Sequence, residues 1–165
     1  MCSNETIESN IESDRILQQA RNSLANYLAR RDHSELELRQ KLRRRYPETL
    51  IEKVIQEALE RGWILPPEEL AERVTQQLHR KKKGYLYIVR YLKVRGLPPA
   101  PADFETEIDK ALELISSLFP DVANSFEQKQ RAYRHLQRRG FEDSIIREVI
   151  RGDHSPSGPK ARSRI

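Results

Sequence analysis

Cysteine is almost missing from this chain: Cys2 is the only one in 165 residues. A disulfide framework and a multi-cysteine metal site are therefore excluded within one chain. Apolar residues are scarce as well, 37% against 33% charged, with a mean hydropathy of −0.78. No apolar run approaches the length of a membrane span, and the first 20 residues hold no apolar core of signal-peptide type. A reducing cytosol is the expected location. The phosphate-binding patterns G-x-x-x-x-G-K-[ST] and G-x-G-x-x-G are absent, as is the zinc motif H-E-x-x-H. The histidines, His33, His79, His135 and His154, stand apart from one another. The paired carboxylates Glu35/Glu37 and Glu68-Glu69 fall in first turns of predicted helices, where acids complement the macrodipole. No constellation of acid, base, nucleophile or metal ligand emerges, so neither an enzyme nor a cofactor is expected.

What the chain does have is positive charge and helical periodicity. Thirty lysines and arginines face 25 acids, for a net charge of +5 and an isoelectric point near 9.4. Four acids, Glu5, Glu8, Glu12 and Asp14, precede the first basic residue, Arg15, so the body is more basic than the total. An anionic partner, nucleic acid above all, is the natural expectation.

Residues 1–13 read as a flexible tail. From Ile16 the apolar positions Ile16, Leu17, Ala20, Leu24, Tyr27 and Leu28 form one helical stripe. Ser34 and Glu37 make a capping box that opens a second helix, which Tyr46-Pro47 breaks. A third carries Leu50, Ile51, Val54, Ile55, Ala58 and Leu59 and stops at Gly62. Pro66-Pro67 opens the next helix, with Leu70, Ala71, Val74 and Leu78; another follows with Ile88 and Leu92 and ends at Gly96. After the stiff connector Leu97–Pro101 a helical stripe runs from Phe104 to Phe119, and a break near Ala111 would divide it. Ser125 and Gln128 form a second capping box before a helix with Tyr133 and Leu136, and a last helix holds Ile145, Ile146, Val149 and Ile150. No strand-like alternation occurs, so the fold class is all-α. Leu42, Leu92 and Leu136 each precede a basic residue three positions on and a turn at four, a weak internal repeat of three-helix units.

Three basic clusters fall on or beside the second helix of each unit. They are Arg39 to Arg45, Arg80 to Arg95 and Lys129 to Arg139, none interrupted by an acid. Cations on an exposed helical face neutralise phosphates, and interleaved Tyr85, Tyr87, Tyr91 and Tyr133 offer faces on which bases can stack. The candidate binding residues are Arg39, Lys41, Arg43 and Arg44 in the first cluster; Lys81, Lys82, Lys83, Arg90 and Lys93 in the second; and Arg134, Arg138 and Arg139 in the third. Solvated basic faces, and cations in last turns that suit the dipole, are the plain alternative.

The string A-R-R-D-H-S-E-L-E-L-R-Q-K-L, Ala29 to Leu42, resembles the opening signature of the RecX family of RecA regulators. Gly62-Trp63 and Leu136-Gln137-Arg138-Arg139-Gly140-Phe141 are similar to later family features, and the likeness spans roughly residues 15–150. The resemblance implies three tandem three-helix repeats in an elongated, curved arrangement, placed at 14–64, 65–111 and a shortened 112–151; the Ser-, Pro-, Gly-, Lys- and Arg-rich composition past Gly152 reads as a disordered basic tail over 152–165. It also implies a protein that lodges in the helical groove of the RecA filament; the expected partners are that filament and single-stranded DNA, with duplex DNA as a further one, for a monomer with no membrane contact. In that groove it would limit filament extension, ATP hydrolysis and strand exchange. The alternative is a helical DNA- or RNA-binding module without recombinase specificity. Where the family carries G-x-G-P, this chain has Gly84-Tyr85-Leu86-Tyr87.

Reversing Arg43, Arg44 and Arg45 to glutamate is expected to weaken DNA or filament binding and to flatten its salt dependence. Unchanged binding would identify that face as solvent decoration.

Overall fold

The computed structural model of the protein describes residues 3–152, and among them eight helices and no strand. In order they are α1 (Ser3–Leu28), α2 (Glu35–Leu42), α3 (Glu48–Glu60), α4 (Pro67–Arg80), α5 (Tyr85–Val94), α6 (Phe104–Leu118), α7 (Phe126–Arg139) and α8 (Asp143–Arg151). The all-α expectation is met. The backbone divides into two compact units. One takes in the chain through Glu72 with Leu92–Pro98; the other takes in Arg73–Tyr91 and the chain from Pro99 on.

In the first unit α1, α2 and α3 pack around one core. Leu17, Ala20 and Leu24 of α1 meet Leu38 and Leu42 of α2 and Ile51, Val54, Ile55 and Ala58 of α3, with Ile64 closing the end. Each fully buried leucine or isoleucine contributes roughly 1.5–3 kcal/mol, which a chain this polar needs at every stripe position. A bidentate pair from Arg21 to Glu57, 2.7 and 2.6 Å, ties α1 to α3 beside that core. The Ser34–Glu37 capping box forms in full: the Glu37 N–H donates to Ser34 Oγ and the Ser34 N–H to Glu37 Oε2.

The flexible tail expected over 1–13 is instead helical from Ser3. The packed stretch from Leu17 onward supplies the costly nucleus, and extension toward the N-terminus then adds one hydrogen bond per residue fixed. The basic tail expected over 152–165 lies outside the described residues, apart from Gly152.

In the second unit α6, α7 and α8 bury Ile108, Ala111 and Ile115 against Ala132, Leu136, Phe141, Ile145, Ile146 and Val149. α6 runs unbroken through Ala111 and Leu112, so the boundary expected at 111/112 falls inside a helix. The stripe Ile108, Ala111, Ile115 keeps one phase across that point, and no glycine or proline interrupts it. The second capping box forms only by half. Ser125 Oγ accepts from the Gln128 N–H, but the Ser125 N–H already donates to the Asp121 carbonyl, and the Gln128 side chain turns to Asp121.

Also in the second unit, the turn between α4 and α5 lies against the turn between α7 and α8. The Gly84 N–H donates to the Arg139 carbonyl and the Leu86 N–H to the Gly140 carbonyl, both at 2.9 Å. A Cβ on Gly84 would sit 2.3 Å from the backbone of Gly140, and one on Gly140, whose φ is +85°, would sit 2.5 Å from Tyr87. Both positions need glycine: the first for approach, the second for approach and for the left-handed turn.

Gly84→Ala is therefore expected to destabilise the protein by at least about 2 kcal/mol, because backbone rather than a flexible side chain must move. Urea unfolding followed by circular dichroism measures it; a variant as stable as the parent would mean these turns separate without cost.

Candidate nucleic-acid interface

The Arg31-Asp32-His33-Ser34 segment, which carries the sequence resemblance, runs from an exposed Arg31-Asp32 into a buried His33-Ser34 in the first unit. His33 is 4% exposed and its Nδ1 lies 2.9 Å from the Arg31 carbonyl oxygen. Arg95 is 7% exposed; its Nε donates to Glu37 at 2.8 Å and its Nη2 to the Asp32 carbonyl at 2.9 Å. Arg31 donates to the same Glu37 carboxylate. Burial pushes the Glu37 carboxyl up, but hydrogen bonds from Arg31, the Ser34 N–H and Arg95 outweigh it and bring it down to about 2. Arg95 stood within the second basic cluster of the sequence; folded, it is a strut. Its partner is 58 residues away, and no local pattern could have found the pair.

The second unit holds its own buried charges. Lys110, 6% exposed, donates to Glu107, to the Lys83 carbonyl at 2.8 Å and to Nδ1 of His79 at 2.9 Å, so all three ammonium protons are used. The second Glu107 oxygen accepts from the Tyr85 N–H at the start of α5. Burial, then the Lys110 charge, pushes the His79 imidazole down, which keeps it neutral and able to accept. The cluster thereby satisfies the last carbonyl of the α4–α5 turn and the first N–H of α5.

That turn is itself unusual. The Lys83 N–H reaches the Leu78 carbonyl and the Lys82 N–H reaches that of His79, a Schellman ending with Lys82 at φ 54° in the position glycine prefers. Arg139 holds it from outside, its Nη1 donating to the carbonyls of Lys81 and Lys82 at 2.8 and 3.2 Å, while its Nε donates to His135. Lys82 pairs with Glu113. The close approach of Gly84 and Gly140 thus joins the basic segments 80–83 and 138–139, which are far apart in sequence.

The expected binding residues separate into three kinds. Arg39 is taken up by Glu35 and Glu52, both at 2.7 Å, and Arg43 by Glu48; these bonds raise both guanidinium pKa values further. With Lys82 and Arg139, they serve the fold. Lys41 stands over the ring of Tyr27 at 4.9 Å and Lys83 over that of Tyr87 at 4.3 Å. Arg44 and Lys93 in the first unit, and Lys81, Arg90, Arg134 and Arg138 in the second, are exposed, with no ion pair to an acid among the described residues. On α7, Lys129, Gln130, Tyr133, Arg134 and Gln137 with Ile150 of α8 line a shallow groove of about 470 Å³. Tyr133, one of the tyrosines offered for stacking, donates its hydroxyl to Asp143. Among the described residues no cluster of three metal-ligating side chains occurs, and no helix is long and apolar enough to cross a membrane.

Compared with known families, residues 20–57 match the model described as RecX, first three-helix domain, and residues 105–150 match RecX, third three-helix domain. These ranges fall on α1–α3 and α6–α8. The regulatory protein RecX of Prosthecochloris aestuarii is 29% identical over 145 residues, covering 84% of this chain and 95% of that protein. That of Leptothrix cholodnii is 30% identical over 138 residues, covering 78% of this chain and 85% of that protein. The crystal structure of RecX from Lactobacillus salivarius is similar with a TM-score of 0.67 at 20% identity, over 82% of this chain and 95% of that one, a likeness of fold.

Glu37→Gln is expected to cost about 3 kcal/mol at neutral pH, because it leaves Arg95 buried without its counter-charge. The Glu37 pKa is lowered from 4.5 to about 2 by folding, so its stabilisation is complete above 4.5 and is lost as pH falls toward 2. The gap between parent and variant in urea unfolding is expected to narrow over that window; a gap independent of pH would show that the carboxylate charge is not what holds Arg95.

Proposed function

The chain belongs to the RecX family of regulatory proteins, and on that premise we propose that it binds the RecA recombinase filament on single-stranded DNA and limits its extension, ATP hydrolysis and strand exchange. The observation that carries this reading is the match of both three-helix groups to RecX domains. The protein acts by occupying the filament, with no bond made or broken by its own side chains. We take it to work as a cytoplasmic monomer.

The DNA contacts fall to the cations that the fold leaves over: Arg44, Lys81, Arg90, Lys93, Arg134 and Arg138. Each can approach a phosphate without giving up an intramolecular carboxylate, so the electrostatic gain is not cancelled by a broken ion pair. Arg39, Arg43, Lys82 and Arg139 support the binding surface through the contacts already described, while Lys41 and Lys83 present an ammonium beside an aromatic face. The same exposed cations favour a second reading, a helical DNA- or RNA-binding module indifferent to the recombinase, with duplex DNA also bound.

Titration into a RecA ATPase assay on single-stranded DNA at fixed salt separates the two. Strong inhibition well below one molecule per recombinase subunit is expected. Inhibition only at ratios that coat the DNA would leave the general nucleic-acid module. In the same setting, Arg134→Ala with Arg138→Ala is expected to reduce the slope of log affinity against log salt by about 0.7 per lost contact on a single strand; an unaltered slope would place the DNA elsewhere.

A further inference from the structure

The groove between α7 and α8 brings together an apolar wall, two amides and two cations, with no carboxylate among its lining residues. Gln130, Tyr133, Arg134 and Gln137 follow the spacing i, i+3, i+4, i+7 and so share one face of α7, while Ile150 comes from α8. Tyr133 and Ile150 pack against the core of the second unit. The Tyr133 hydroxyl donates to Asp143, which Arg147 also holds at 2.7 Å, so the ring is fixed before any ligand arrives. No other ring and no cation stands over Tyr133 among the described residues. Arg134 donates to the Gln130 side-chain oxygen at 3.0 Å, which leaves the Gln130 amide nitrogen to donate elsewhere. Gln137 is exposed, and its amide makes no hydrogen bond among the described residues; Lys129 and Arg134 form no ion pair with an acid there. One turn before Gln130, at nearly the same helical phase, Phe126 is 74% exposed, where a polar residue is ordinary. Its ring meets no other ring or cation among the described residues.

We propose that this face of α7 receives the unpaired bases of a single strand. One base enters the groove against Tyr133 and Ile150, with Gln130 and Gln137 at its edge. Phe126 stacks on a neighbouring base, and Lys129 and Arg134 neutralise the phosphates of that strand. The inference rests on the DNA-binding reading above and deepens it, because it assigns recognition of single strands to one groove and to bases rather than to charge alone. The lining favours a nucleic-acid strand over an acidic peptide. A run of carboxylates would match the two cations but leave the amides and the apolar wall without partners. A base is apolar on its faces and carries a donor beside an acceptor on its edge, and a carboxamide offers the complementary pair. The ring faces accept any base, and the phosphates supply the opposite charge. A wall already fixed through Asp143 lowers the ordering cost of binding. In a duplex the edges are paired and the faces stacked, so duplex DNA would meet only the cations.

The test uses the full chain and two labelled strands of equal length, an oligothymidylate and an abasic deoxyribose-phosphate polymer, read by fluorescence anisotropy. The parent protein is expected to bind thymidylate about tenfold more tightly than the abasic strand. Gln137→Leu keeps the size of the side chain and removes its hydrogen bonds; Phe126→Ala removes the exposed ring. Both positions are exposed, so neither change should disturb folding, which circular dichroism checks. Each is expected to lower thymidylate affinity about threefold or more and to leave abasic and duplex affinity unchanged. Equal parental affinity for the two strands would overturn the base site while leaving DNA binding intact. So would a thymidylate advantage that survives undiminished in either variant, because the bases would then lie elsewhere. A parent that binds an oligoglutamate peptide as tightly as thymidylate would likewise overturn it and assign the groove to an acidic protein partner. A parent that binds neither strand would overturn the DNA reading itself.

Discussion

Where Gly84 meets Gly140, two turns lie closer than any Cβ permits, and two N–H groups donate across the gap to carbonyls of the opposite turn. Most of what distinguishes the second unit follows from that contact. It brings the end of α4 within reach of the Arg139 guanidinium, which then donates to the Lys81 and Lys82 carbonyls. Those acceptors help hold Lys82 at a positive φ that costs a residue with a Cβ roughly 1–2 kcal/mol. The contact also sets the direction in which α5 leaves the turn. A side chain at either glycine would have to be accommodated by backbone, and backbone here is already fully hydrogen-bonded.

The buried pair of Lys110 and Glu107 addresses a second cost. Taking two charges out of water is expensive, and mutual attraction compensates only when the remaining donors and acceptors are met. Here they are: Lys110 finds Glu107, a carbonyl and a neutral imidazole, and Glu107 receives Lys110 and a helix N-terminal N–H. An apolar pair of equal size could be as stable, but it would leave the Lys83 carbonyl and the Tyr85 N–H without these partners. The value of the charges is therefore positional: they fix one arrangement of the α4–α5 turn among those that collapse alone would allow.

Much of the fold was legible because it is governed by local rules. Ser34 with Glu37, the stop at Gly62 and the stripes of α3, α6 and α8 need only near neighbours to be read. The second capping box misled because its donor had a competitor: the Asp121 carbonyl reaches the Ser125 N–H first. Helix α1 was drawn too short because apolar periodicity marks where a helix is packed, and the backbone continues helical to Ser3 beyond it. Arg95 and Arg139 were illegible for a different reason. A cation's fate depends on whether a distant carboxylate or carbonyl arrives beside it, and a run of basic residues contains no trace of that arrival. The sequence resemblance was carried by the Arg31–Ser34 segment, whose backbone and side chains join His33, Glu37 and Arg95 within the first unit.

One part of the division between structural and available cations does follow from the sequence, through helical phase. Leu42, Leu92 and Leu136 are all buried to within 1%, and each fixes which way its helix faces. A residue two positions away is turned by about 200° and points to the opposite side, whereas residues one, three or four away lie nearer the core. Arg44, Arg90, Arg134 and Arg138 stand two from those leucines and are exposed. Arg43, one away, and Arg39 and Arg139, three away, are drawn into contacts that serve the fold. The repeated leucine thus sorts the arginines around it. An unbroken basic cluster is, in three dimensions, more than one population, and the arginines opposite the leucine are the ones the core leaves exposed.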